Sequence, residues 1–243
     1  MPNHVTHRMT ITGPEADVAA CLARHVVVED GRDGIDFQTI VPMPPSILAT
    51  CGDKEAGGWE TTSNGHLRPG DAQVEAAAVA LVTKSNMFTA MTPEQLACIG
   101  APHNVRSAAQ AVAWMEQHKP AMLHWGRLSC AAVAETGHAG WYDWSIANWG
   151  TKWGAYSYRQ HERSEGRVVV LFETAWSTPT PVLRKLSEMW PTLRFGVLAF
   201  DEGWCFGARG HLVAGDASAY DVRKELATDE LYEAVYGRPV EKE

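Results

Sequence analysis

Paired cysteines are missing from this sequence. Its five cysteines, Cys21, Cys51, Cys98, Cys130 and Cys205, stand far apart and form no CxxC pair, so the spacing used for zinc ribbons, iron–sulfur ligation or thiol exchange is absent. An odd number of scattered thiols, with no basic and then apolar leader, gives the expectation of a cytoplasmic protein. No apolar run is long enough for a membrane helix; the alanine-rich stretch from Ala76 to Val82 falls far short. Walker, GxGxxG, HExxH and kinase signatures are missing too. His4 and His7, three apart on a strand, point to opposite faces, and the other histidines are dispersed, so neither a metal site nor a cofactor is expected. Basic residues number 21 against 29 acidic ones, a net charge of -8. That is weak ground for broad polyanion binding, which draws on local clusters of Lys and Arg.

Tryptophan is what the sequence has in excess: ten residues, six of them being Trp125, Trp141, Trp144, Trp149, Trp153 and Trp176. A chain of 243 residues removes roughly 70% of its unfolded surface from water, so large rings can serve as core filler as well as stacking platforms.

The residue pattern predicts an α+β fold. Val5, His7, Met9 and Ile11 alternate with polar neighbours as a strand, and Gly13 and Pro14 lead into a helix whose stripe is Val18, Cys21, Leu22 and His25. A second strand is predicted from Ile35 to Val41, stopped by the Pro42 to Pro45 run. Residues 46–69 read as a loop, with helices expected at 71–85, from Thr92, and from an Asn104 cap through Val105, Ala108, Val112 and Met115 to near Pro120. From Met122 to Tyr158 the glycines predict short helices joined by turns. Arg167 to Trp176 is the best strand, apolar on both faces up to Glu173, and therefore central. Ser177 or Thr178 is expected to cap the next helix, which carries Val182, Leu183, Leu186 and Met189. Leu193 to Phe200 and Trp204 to Arg209 flank a turn at Asp201, Glu202 and Gly203, and a final helix is predicted within Tyr220 to Tyr236. The order is βαββαβ with an added hairpin strand, in a single domain over 1–243 whose residues 46–164 form a loop and mainly helical insertion.

Four stretches carry a resemblance: Pro2 to Thr6, Ile40-Val41-Pro42-Met43-Pro44, Asn148-Trp149-Gly150-Thr151-Lys152-Trp153, and Phe172 to Ser177 with Pro179. Together they resemble the YubB-type ferredoxin-like family, whose members are encoded on bacterial plasmids and phages. The resemblance implies a ferredoxin-like antiparallel sheet with packed helices. It implies neither electron transfer nor any catalytic residue.

The candidate binding residues are Trp141, Trp144, Asn148, Trp149, Lys152, Trp153, Glu173 and Trp176. Flat rings beside an amide and a cation suit a base, a sugar or a peptide side chain; the plainer alternative is that the rings anchor the insertion to the sheet. Glu173, on an otherwise apolar strand face, needs a partner, for which Lys152, Arg194 and Arg209 are the candidates. The leading expectation is a binding or accessory protein with a tryptophan-lined surface for a protein, peptide or single-stranded nucleic acid. A metal-independent enzyme using Glu173 or Asp143 with Lys152, and a structural homo-oligomer, are the rivals.

Overall fold

The computed structural model describes residues 3–28, 34–51, 104–105, 108–118 and 120–241. The expected loop beyond Cys51 and the helices expected at 71–85 and from Thr92 lie outside them. The chain divides into two compact units, Met1–Pro42 with Ser145–Glu243, and Met43–Trp144. Among the described residues no helix is long and apolar enough to cross a membrane.

In the first unit β1 (His4–Thr12) is followed by α1 (Glu15–His25), then by β2 (Val26–Val27) and β3 (Gly34–Ile35), which among the described residues pair with each other. Where the sequence predicts a strand to Val41, Phe37–Thr39 forms a 3-10 turn instead. The side chain of Asp36 accepts the backbone N–H of Gln38, a local bond that competes with a ladder.

The second unit holds α2 (Pro45–Leu48), a 3-10 turn at Ala49–Cys51, α3 (Ala108–His118) and α4 (Pro120–Thr136). Ile47, Met115 and Ala132 are fully buried there. The Thr50 hydroxyl donates to Ile47 O at 2.7 Å and accepts the Trp141 N–H at 3.0 Å. The chain then runs through α5 (Trp141–Asn148) and returns to the first unit. Short helices are the expectation for this stretch, yet α4 is 17 residues long, and Gly137, with φ 79°, marks its end.

β4 (Tyr156–Ser164), β5 (Arg167–Ala175), α6 (Thr180–Met189), β6 (Arg194–Asp201), β7 (Gly207–Val213), β8 (Asp221–Arg223) and α7 (Asp229–Tyr236) complete the first unit. Two of these differ from the sequence reading. Residues 156–164 form a strand, and Tyr220 to Ala227 supplies β8 and a 3-10 turn at Lys224–Leu226, so the last helix begins only after Thr228, whose side chain caps it. The sheet is antiparallel in the order β4-β5-β1-β6-β7-β8. β4 is an edge strand, almost entirely exposed, with two breaks in its ladder between Tyr156 and Arg159 and between Gln160 and Glu162.

Register sorts the two faces of the sheet. Val5, His7, Met9 and Ile11 stand opposite Thr174, Phe172, Val170 and Val168 on β5, all of them buried. This is the face on which α1 and α6 pack. Trp190 Nε1 donates to His25 Nε2 at 3.0 Å, which leaves the His25 Nδ1–H to donate to Thr39 at 2.7 Å and ties α1 to the end of α6. On the other face Phe200 meets Leu226, Leu231 and Val235, so α7 closes over β6.

His7 is fully buried and stacked on Phe172, with ring centroids 4.6 Å apart. Its Nε2 lies 2.8 Å from the Thr174 hydroxyl, whose single proton goes to Ser177 O at 2.7 Å. Nε2 must therefore be the donor, which leaves Nδ1 as a bare lone pair with no partner. Burial lowers the His7 pKa to about 3, since a charged ring in the core would have no water and no anion.

Ala214 and Gly215, φ 49° and 84°, form the two-residue turn closed by reciprocal Val213 and Asp216 backbone bonds. A left-handed alanine is unfavourable by about 1 kcal/mol. Ala214→Gly is therefore expected to raise the unfolding free energy by about that amount; an unchanged or lower urea midpoint would refute it.

Candidate functional site

The site grows from the segment that follows α5. Trp149 and Gly150 both donate their N–H to Ser145 O, and Gly150 takes φ 79°, which ends the helix. A Cβ at Gly150 would lie 2.9 Å from Pro181 Cδ and 3.0 Å from Thr178 O, so only glycine lets this turn touch the start of α6. The Ser177 hydroxyl donates to Gly150 O. The expected capping role of Ser177 and Thr178 is thus replaced: α6 has no side-chain cap, and the Thr178 hydroxyl instead meets that of Thr180 at 2.9 Å. The Thr151 hydroxyl donates to Trp153 O at 2.7 Å and Ser145 Oγ to Lys152 O at 2.8 Å. The loop is held at both ends.

This pinning sets Lys152 against the end of β5. Its Nζ stands 4.7 Å from the centroid of Trp153 and 4.7 Å from that of Trp176. The residue is only 8% exposed, and among the described residues its ammonium has no carboxylate within 4.0 Å. Burial lowers its pKa. Cation–π contacts are worth roughly 0.5–2 kcal/mol each, less than the several kcal/mol that desolvating an ion costs. Trp176 is 41% exposed, has φ 70°, and donates its N–H to Asn3 O at 3.0 Å. The chain therefore presents this indole outward at a left-handed position.

Of the other candidate residues, Trp141, Trp144 and Trp149 are buried. Trp149 Nε1 donates to Val41 O at 2.8 Å and its ring meets Phe37 edge-on, an anchoring role. Helical spacing would place Trp149 and Trp153 on one face, but α5 ends at Asn148, which is half-buried. Asp143 is exposed in the first turn of α5.

Glu173 is half-exposed, and none of Lys152, Arg194 and Arg209 pairs with it. Its Oε2 lies 4.0 Å from His4 Nδ1. His4 Nδ1 is also 2.6 Å from the Tyr156 hydroxyl, and the His4 N–H donates to Glu202 Oε1 at 2.7 Å. Burial first, then the charges of Glu173 and Glu202, push the Tyr156 pKa well above the usual phenol range. Tyr236 is raised by burial and the same carboxylates, against a lowering hydrogen bond with Thr6. Sequence reasoning missed His4, Tyr156, Glu202 and Tyr236 as a group. The signal was partial: His4 lies in the opening motif and on the polar side of β1, while Tyr156 belongs to a strand with no readable period. Among the described residues no group of three or more His, Cys, Asp or Glu is arranged to hold a metal ion.

The antiparallel sheet, the helices packed on it, the helical insertion and the extra hairpin strand define a ferredoxin-like α+β protein. Residues 152–233, from the Lys152 loop into α7, match the model of a family described as the ferredoxin-like domain in Api92-like protein. The match agrees with the YubB-type resemblance. Among solved structures the chain is similar to the crystal structure of a protein api92 from Yersinia pseudotuberculosis, with 12% identity over 91% of this chain and 98% of that chain and a TM-score of 0.42. No curated protein matches.

Proposed function

We propose that the protein is a cytoplasmic binding protein whose recognition surface is the outward indole of Trp176 with Lys152 and Trp153 beside it. The observation that supports this reading is the Lys152 ammonium lying 4.7 Å from two indole centroids, with Trp176 41% exposed. Exposed aromatic faces next to a cation are the elements of stacking recognition, whereas Trp141, Trp144 and Trp149 serve the fold. The test is tryptophan fluorescence of the native protein titrated with an oligothymidine, an aromatic-rich peptide and a soluble oligosaccharide, repeated on Trp176→Ala. One class is expected to quench the native protein, and the variant to bind it about tenfold more weakly. No response from any class, or a response the variant leaves intact, sinks the reading.

A second reading, acid–base catalysis, is favoured by the His4 Nδ1 contact with the Tyr156 hydroxyl at 2.6 Å and with Glu173 at 4.0 Å. It requires that His4→Gln abolish turnover of a bound compound without weakening its binding; retained turnover would exclude it.

A further inference from the structure

We propose that Lys152 anchors the phosphate of a nucleotide whose base stacks on Trp176, the nucleotide being free or the terminal residue of a single strand. The inference rests on the recognition surface proposed above and names its ligand.

Three observations carry it. First, the ammonium of the largely buried Lys152 lies 4.7 Å from each of two indole centroids, without a carboxylate partner among the described residues. Buried charges are normally paired with an opposite charge, so the chemical complement of this group is an anion. A phosphate monoester, with a charge of about -1.5 to -2 near neutrality, supplies such an anion.

Second, an anion alone does not account for Trp176. Its indole is directed to solvent from a left-handed backbone position held by the Asn3 carbonyl, next to the ammonium. A ligand that uses both features carries a flat ring a short distance from its negative group. Every base offers a π face to an indole.

Third, the surroundings favour close contact with a single nucleotide over a run of phosphates. Glu173, on β5, lies three positions before Trp176 and gathers with Glu202 around His4, and the chain carries a net charge of -8. A run of phosphates would meet these carboxylates. A single phosphate beside Lys152 need not.

The experiment is calorimetric and fluorescence titration of the full chain with thymidine 5′-monophosphate, thymidine and inorganic phosphate, on native protein, Lys152→Gln and Trp176→Ala. The monophosphate is expected to bind at least about tenfold more tightly than thymidine and to weaken about tenfold in each variant. Its affinity for native protein should also fall several-fold between about 0.05 and 0.5 M salt. The salt series needs no variant, so it decides the matter even if Lys152→Gln does not fold. Thymidine binding as tightly as its monophosphate, a folded Lys152→Gln variant with native affinity, or an affinity indifferent to salt overturns the phosphate anchor and leaves the stacking surface standing. So does a ligand of another class that needs Trp176 while the monophosphate does not bind. If no class tested needs Trp176, both readings fall. A 5′-phosphorylated oligothymidine that binds more tightly than both the monophosphate and its unphosphorylated twin supports a strand end as the source. Binding no tighter than the monophosphate supports a free nucleotide.

Discussion

Between pH 7 and pH 4 the protein is expected to lose about 3 kcal/mol of unfolding free energy on account of His7 alone. The unfolded chain protonates this ring near its ordinary value of 6.5, whereas the folded chain holds it neutral down to about 3. Above pH 6.5 neither state carries the proton and the full stability is present. As the pH falls through 6.5 the unfolded state alone takes up the proton, and stability drops by about 1.4 kcal/mol per pH unit until the folded ring titrates in its turn near 3. Urea unfolding at several pH values measures the slope. In His7→Phe the ring stack on Phe172 is kept, Thr174 still donates to Ser177 O, and no lone pair is left unpartnered. The acid slope should flatten by about 3 kcal/mol over that range relative to the native protein. Parallel slopes in the two proteins would show that His7 is not the group responsible. His25 adds to the native slope in the same direction, since burial also lowers its pKa and protonation of Nε2 would end its acceptance of the Trp190 N–H.

Gly150→Val should be among the most damaging single changes near the candidate site. The residue sits at φ 79° with Pro181 and the Thr178 carbonyl 2.9 and 3.0 Å from where its Cβ would be. A β-branched side chain there meets both the left-handed penalty and a wall that includes backbone, together about 3–4 kcal/mol. For a chain of this length that corresponds to a melting temperature lower by about 10 °C. Gly154 is the control, because a Cβ there would meet nothing within 4 Å; Gly154→Ala should stay within about 0.5 kcal/mol of native. Equal melting temperatures for Gly150→Val and native protein would refute the tight seat. The change also moves the carbonyl that Ser177 holds, and with it Lys152 two residues on, so the binding proposed at Trp176 should weaken along with stability.

The elements readable in the sequence are those whose two sides differ. β1 alternates because one face is core and the other polar, and α1 and α6 carry their stripes because a single face is buried. β5 was readable for the opposite reason, being apolar on both sides. β4 offered neither signal: nearly every side chain from Ser157 to Ser164 faces water, so nothing in its pattern separates a strand from a turn, and only pairing with β5 makes it one. The strand expected at Phe37 yielded to a local side-chain bond from Asp36, and the helix expected from Tyr220 yielded to pairing of Asp221–Arg223 with β7.

At the site, residue type was legible and exposure was not. The tryptophans of α5 and Trp149 look alike in sequence to Trp153 and Trp176, yet what distinguishes them is long-range: Trp149 spends its N–H on Val41, and Trp176 turns outward on the carbonyl of Asn3. Lys152 was identifiable as a cation among rings, but its pairing with Trp176 follows from the Gly150–Ser177 contact. The partner of Glu173 was sought among the basic residues, while strand register brought it His4 and Tyr156.

The outer strand β4 has a bearing on how copies of this chain can meet. A neighbouring molecule could extend the sheet only by matching its own amides to an unbroken row along this border. The two irregularities split that row into short pieces, and the charged side chains of Arg159, Glu162 and Arg163 make any flat approach costly. These breaks and charges disfavour the addition of a strand along β4.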